Sequence, residues 1–521
     1  MTRSIVIFVL CLVLQGGLFG RPADAATMPG FDTNDAAQVW GAALAYIAPR
    51  SLQKLTVPQM TLWGLNGLAA LDPDLNTTLQ DGQLRLYGPN ALILAVPAPA
   101  DPNDAAAWGK AAASIAAAAY ASSPALQTAG TQGIIANFFD ELFNHFDPYS
   151  RYEPPQQAAQ DELMIMGLGG TGLTLAAQGP HVIVAEVAAD SPAENAGITQ
   201  GSIITAINGQ PAWPGQVATL NAGMNGIAGS SISLTVQDPD DSSPSPGAQD
   251  ATPAGPQQIT LTRGYIPPQT VFSEPGLVPG IAVLRITGFN KGTADQFGAA
   301  MAQLMSLSPP PAALVLDLRG NRGGVLRQAV LVADSLLPSG AIVQAEGRDP
   351  DATQNFKAEG SDLTNGARLA VLVDGQTASA AEILAAALAD NGRAVVIGSE
   401  TLGKGLVQTI TSLPDGGELF ITWSRVLAPR GWPLQSLGVM PQLCTSLGTT
   451  SVEMQMASLT KGQEPLAPIL AQARAMRAPV GVDDVLALRG HCPASIGSDL
   501  DLTAAAWVLQ NQTAYQTALM H

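Results

Sequence analysis

The chain has 521 residues, room for three or four domains, and its 46% hydrophobic content with abundant Gly and Ala suits well-buried globular units. Only 13% of residues are charged and the formal net charge is −18, with a pI near 4.5. That balance argues against nucleic acid and anionic membrane surfaces as partners and leaves the substrate open. Residues 1–25 read as a signal peptide: Arg3, an apolar run Ile5–Leu14, and the small-x-small site Ala23-Asp24-Ala25. The apolar run is too short for a comfortable span, so the expectation is an exported protein, periplasmic or secreted, with no stable membrane span in the mature chain; an uncleaved N-terminal anchor is the alternative reading. Cys11 falls in the leader. Cys444 and Cys492 remain, and two cysteines in an exported chain suggest one disulfide.

Residues 26–155 read as a mainly helical region. Two apolar segments, Leu62–Asp74 and Ile134–Ser150, each carry an Asp-Pro step where a helix should stop. Residues 156–272 read as a β-rich binding module. A glycine-rich loop, Gly167-Leu-Gly-Gly-Thr-Gly172, enters a strand at Leu173, and His181–Val187 alternates as a second strand. Ser191-Pro-Ala, Ala196-Gly-Ile, Gly201-Ser-Ile and Asn208-Gly209 then follow in order. This series resembles a PDZ domain. The resemblance implies that an extended peptide adds to a sheet edge and that Leu168, Gly169, Gly170, Thr171, Gly172 and Leu173 hold its terminal carboxylate. Residues 238–257, rich in Asp, Ser, Pro and Gly, read as a disordered insertion within this module.

From 273 to 445 the pattern changes. Apolar strands at 281–286, 313–318, 368–374, 394–398 and 418–426 alternate with helical stretches at 292–306, 323–337 and 378–391. Such alternation implies βαβ crossovers and a largely parallel sheet. Residues 446–521 form a C-terminal extension in which only a helix over Asp499–Gln510 is legible.

Within that core, Ser379 stands at a strand-to-helix junction, where a helix N-terminus supplies free amides. Lys404 stands between glycines after the next strand. A serine hydroxyl needs a neighbouring base, and lysine serves only when deprotonated, which its Gly, Leu and Val surroundings would favour by desolvation. No other base competes. His145, His181, His491 and His521 lie outside any serine motif, and neither Gly-x-Ser-x-Gly nor Ser-x-x-Lys occurs at Ser379. Taken singly, Ser379 would be a helix cap and Lys404 a surface charge; at the ends of successive apolar strands they look like a nucleophile and its base.

Thr377-Ala-Ser379-Ala-Ala-Glu382, Asp390-Asn-Gly-Arg-Ala394 and Gly403-Lys404-Gly405-Leu-Val-Gln408 together resemble the carboxyl-terminal processing, or tail-specific, serine peptidases. Thr377 and Ala381 replace serines common in that family, and Gln442 stands where an aspartate is usual. The resemblance implies a ClpP/crotonase-like core, an α/β multidomain architecture with an inserted PDZ domain, and a Ser379–Lys404 dyad with Gln408 orienting the lysine. It also implies an oxyanion hole from the Gly323/Gly324 turn and the Ala380 amide. The expected partners are protein or peptide substrates held by their C-terminal tails, with an adaptor protein or self-association in addition; no cofactor and no metal is expected. Two other readings are a catalytically silent PDZ adaptor, against which the intact Ser379, Lys404 and Gln408 argue, and an acyl-CoA enzyme of the crotonase-like fold, against which the signal peptide and PDZ module argue.

Overall fold

Five strands built mostly of Val, Leu, Ile and Ala lie side by side and parallel: Ile281–Ile286, Ala313–Asp317, Arg368–Val373, Val395–Gly398 and Leu443–Cys444. Val271–Glu274 closes one edge antiparallel to the first of them. This computed structural model describes residues 30–158, 169–188, 191–237, 255–265, 268–276, 278–360 and 362–519. The expected signal peptide, most of the 238–257 insertion, and Leu168 lie outside the described residues. Among the described residues no helix is long and apolar enough to cross a membrane.

Near-continuous apolar strands are buried on both faces, as a parallel sheet requires. One face packs against Thr293–Met305, Leu326–Asp334 and Ala380–Asp390. The other face, carrying Ala313, Val315, Ala370, Leu372, Val395 and Ile397, is covered by helices Asp499–Gln510 and Gln512–Ala518 through Ala504, Ala505, Val508 and Tyr515. The C-terminal extension is therefore a layer of the core. The helix expected at 323–337 is shorter, Leu326–Asp334, because Gly323 and Gly324 have φ of 91° and 136° and Val325 is extended.

The strand expected at 418–426 is not in the parallel sheet. Glu418–Leu427 pairs antiparallel with Leu406–Ser412 and with Gly340–Gly347 in a second sheet. Only residues 413–417 separate the first two of these strands, which permits a hairpin and forbids a crossover. Gln442, the departure from the usual aspartate, is fully buried: its side chain accepts from Val396 N at 2.8 Å and its own N–H donates to Val396 O at 2.9 Å.

The binding module is a sheet ordered Gln257–Thr262, Ser231–Gln237, Ile203–Ile207, His181–Val187, Leu173–Gln178, with helix Val217–Met224 beside the last, an edge strand. The N-terminal region holds the expected helices Thr33–Arg50, Val57–Leu71, Ala105–Ser122 and Pro124–Phe143, and also a three-stranded meander, Asn76–Gln80, Gln83–Tyr87 and Leu92–Pro97. Its signal was present in Asp81-Gly82, both at positive φ (50° and 68°), between alternating runs. This region's core includes Leu419 and Ile421 of the second sheet and Leu413 of its hairpin turn, so it is packed onto the peptidase-like unit.

Candidate active site

Three turns leave the C-terminal ends of adjacent parallel strands and meet: residues 318–325, 374–379 and 399–405. Open α/β sheets place ligands at this end. The first two turns are joined by the buried carboxylate of Asp374, whose Oδ1 accepts from Gly320 N and Thr377 N, both at 3.0 Å, and by Ala378 N donating to Asn321 O at 2.9 Å. The second and third are joined where Leu402 N donates to Thr377 O at 2.9 Å.

Ser379 has φ 56° and ψ −117°, a conformation that L-residues other than glycine avoid and that costs of order 1–3 kcal/mol. Its N–H donates to Glu382 Oε2 at 2.7 Å, and the same oxygen accepts from Lys404 N at 2.9 Å. Glu382 Oε1 accepts from Gly403 N at 2.7 Å and from the Thr401 hydroxyl. One fully buried carboxylate thus holds the backbones of both Ser379 and Lys404. Burial raises its pKa, opposed by these four donors. The role of Glu382 is not evident from the family-like run alone, although a Glu three residues after a helix-capping Ser is a recognisable signature.

Lys404 is half-buried, and its Nζ lies 5.0 Å from the centroid of the Tyr149 ring. Among the described residues no hydrogen bond joins Ser379 Oγ to Lys404 Nζ; the two residues are brought together through their backbones. Gln408 donates to Thr422 Oγ1 at 3.2 Å, and that hydroxyl donates to Asp147 Oδ1 at 2.6 Å. Gln408 is therefore tied to Thr422, not to the lysine. Tyr149 and Asp147 come from the Asp-Pro-Tyr-Ser segment that sequence reading treated as a helix stop.

The expected oxyanion donors divide. Gly323 N–H donates to Asn321 Oδ1 at 2.8 Å and is already satisfied. The amides of Gly324 and Ala380 have no acceptor among the described residues. A Cβ on Gly323 would sit 2.8 Å from Ala380 N and 2.8 Å from Ser379 Cβ, so this turn lies directly against the nucleophile candidate. In the PDZ-like loop, Gly170 N is bonded to Gly264 O at 2.7 Å and Thr171 N to Met224 O at 3.2 Å, which removes two of the amides expected to hold a carboxylate. Gly169 pairs with Gly226 and Leu173 opens the edge strand; Gly172 N–H has no acceptor among the described residues.

Cys444 and Cys492 form a disulfide. The segment it tethers reaches all three turns. Ser495 O accepts from Gly375 N at 2.8 Å and from Ser399 Oγ at 3.0 Å, Gly497 N donates to Asp374 Oδ2 at 3.2 Å, and Arg319 pairs with Asp501 at 3.1 Å. Arg489 adds a bond from its guanidinium to Thr401 O at 2.8 Å. The disulfide thus ties the end of the core to an extension that is bonded to all three turns.

Residues 280–444 match Peptidase family S41, and residues 183–238 match a PDZ domain. A carboxy-terminal-processing protease of Bartonella bacilliformis is 34% identical over 319 residues, 60% of this chain and 69% of that protein. A carboxyl-terminal-processing protease of Picosynechococcus sp. is 34% identical over 301 residues, 57% of this chain and 69% of its own length. Among solved structures, a photosystem II D1 C-terminal processing protease aligns with 81% of this chain and 97% of its own at 24% identity, with a TM-score of 0.40.

Two outcomes follow from this geometry. Glu400 is pushed from its ordinary 4.5 up to about 8, chiefly by burial, against the pull of Arg489 and with a push from Glu382. Between those values the folded protein keeps a proton that the unfolded chain releases, so stability should fall as pH rises through that window, by up to about 1.4 kcal/mol per pH unit, and level off above it. Calorimetric midpoints across the window should show this slope in the wild type and a flatter one in Glu400→Gln. Separately, reducing the disulfide should speed amide hydrogen exchange at Gly320 and Gly375 as well as in 489–501, read by mass spectrometry; acceleration confined to the extension would contradict the bonds just described.

Proposed function

The chain belongs to the carboxyl-terminal-processing peptidases, serine peptidases that carry a PDZ domain, and from that premise we propose that it cleaves peptide bonds with Ser379 as nucleophile and Lys404 as general base. The observation that carries this reading is the Glu382 carboxylate, which accepts from the backbone N–H of both residues at 2.7 and 2.9 Å. A strained serine fixed beside a glycine turn and a lysine loop is what an activated nucleophile requires, and a silent adaptor would have no use for the strain.

In this reading Ser379 Oγ attacks the scissile carbonyl as Lys404 Nζ, in its neutral form, takes the hydroxyl proton. The carbonyl oxygen becomes an oxyanion received by the free N–H groups of Gly324 and Ala380. Lys404 then protonates the leaving amine, and water, deprotonated in turn by the lysine, hydrolyses the acyl-enzyme. Gln408 acts at one remove, held with Thr422 and Asp147 on the strand that follows Lys404. The PDZ domain binds the substrate's C-terminal tail at its edge strand. The parallel sheet with its antiparallel partner is read as a ClpP/crotonase-like core over 273–445, with units at 26–155, 156–272 and 446–521 around it, and the leader at 1–25 as an export signal.

Ser379→Ala and Lys404→Ala should each lower cleavage of an unfolded test protein by a factor of at least about 10²–10⁴ while leaving the melting profile in place. Lys404→Arg should be equally inactive, because a guanidinium stays protonated. Full activity in either alanine variant would remove the dyad from consideration. Tail reading is tested by titration calorimetry in the Ser379→Ala background: a peptide with a free C-terminal carboxylate should bind more tightly than its amide, and equal affinities would mean that the module reads something else.

A further inference from the structure

Among the described residues the edge strand Leu173–Gln178 pairs with His181–Val187 on one side only. On the other side Asn221, in the middle of helix Val217–Met224, takes up the backbone of Leu175. Asn221 Oδ1 accepts from Leu175 N at 2.7 Å, and Asn221 Nδ2 donates to Leu175 O at 2.9 Å. A primary amide bonded to both the N–H and the C=O of one residue reproduces what a residue of an added antiparallel strand would do. An extended tail joining this edge needs the same two groups.

We propose that Asn221 is a built-in competitor for the tail and sets the threshold of PDZ recognition, an inference that rests on the tail-binding reading above. A ligand enters only by displacing the Asn221 amide, so the resting domain is largely closed to weak ligands. The neighbouring loop sharpens this selection. With Gly170 N and Thr171 N engaged by Gly264 O and Met224 O, the Gly172 N–H, which has no acceptor among the described residues, is available to an anion. The ligand class is therefore an unstructured chain end that offers a free carboxylate and an extended backbone at once. Internal segments and amidated ends lack the carboxylate contact that offsets the loss of the two Asn221 bonds.

The test is titration of the full chain carrying Ser379→Ala with a short free-acid peptide ending in two valines, with and without Asn221→Ala. The expected result is an affinity roughly tenfold higher in Asn221→Ala, the scale of two ordinary hydrogen bonds no longer displaced. Amide exchange at Leu175 should be slow in the parent, faster in Asn221→Ala, and slow again with peptide bound. Asn221→Leu, which keeps bulk between helix and strand but cannot bond to Leu175, should also tighten binding and serves if the alanine variant unfolds. Unchanged or weaker binding in the folded variants would overturn the proposal, making Asn221 a strut or a ligand for the tail. Should neither parent nor variant bind any free-acid peptide although Leu175 exchange is unmasked, the tail-binding reading itself fails and the proposal with it.

Discussion

The Glu382 carboxylate is the point on which the site's geometry depends. A carboxylate without charge partners is costly to bury, and Glu382 is tolerated because its oxygens receive three backbone N–H groups and one hydroxyl. Those donors belong to two turns 20 or so residues apart in sequence, so satisfying one side chain fixes the relative position of Ser379 and Lys404. The unfavourable backbone of Ser379 persists because this bond and the packing of the Gly323 turn over-determine it. A second buried carboxylate, Asp374, does the same for the first and second turns. Both devices use acceptor-only groups to gather amides that would otherwise be orphaned at the ends of strands and helices.

Around this centre, distant parts of the chain act as braces. The C-terminal extension covers the second face of the central sheet and sends residues 489–501 across all three turns, with the disulfide closing that path. The N-terminal region contributes Tyr149 beside Lys404 and Asp147 beneath Thr422, and shares its core with the second sheet. A catalytic constellation gains from such support because small displacements of reacting groups are expensive in rate. The C-terminal brace joins the site through polar bonds to backbone amides and carbonyls, a hydroxyl, a carboxylate and a guanidinium, and the N-terminal brace through the Asp147–Thr422 bond and the Tyr149 ring. Directional bonds of this kind specify position more sharply than apolar contact does.

The PDZ domain shows the opposite economy. Among the described residues its edge strand is protected by one amide side chain and by no further strand, and an exposed edge is a liability that folded proteins cover. In the reading proposed above, a cover of two hydrogen bonds keeps the edge closed to casual pairing and yields to a ligand with an added charge contact.

What could be read in the sequence was local. The apolar strands before Ser379 and Lys404, the glycines at 323, 324, 403 and 405, and the ordered PDZ signature each depend on the backbone preferences of a few neighbouring residues, and the two strands that precede Ser379 and Lys404 do lie side by side in the sheet. The signal for the meander at Asn76–Pro97 is equally local, an Asp81-Gly82 turn between alternating runs, but it lies in a stretch whose flanking segments are helical. Tertiary structure alone decided that the hairpin ending at Leu427 leaves the parallel sheet, that Gly323 N–H is spent on Asn321, that Asn221 closes the edge strand, and that residues 489–501 brace the site. Each of these is a choice of partner for a hydrogen-bonding group. A sequence shows which donors and acceptors exist, but which of them meet is settled only when packing brings residues as far apart as Ser399 and Ser495 within 3.0 Å.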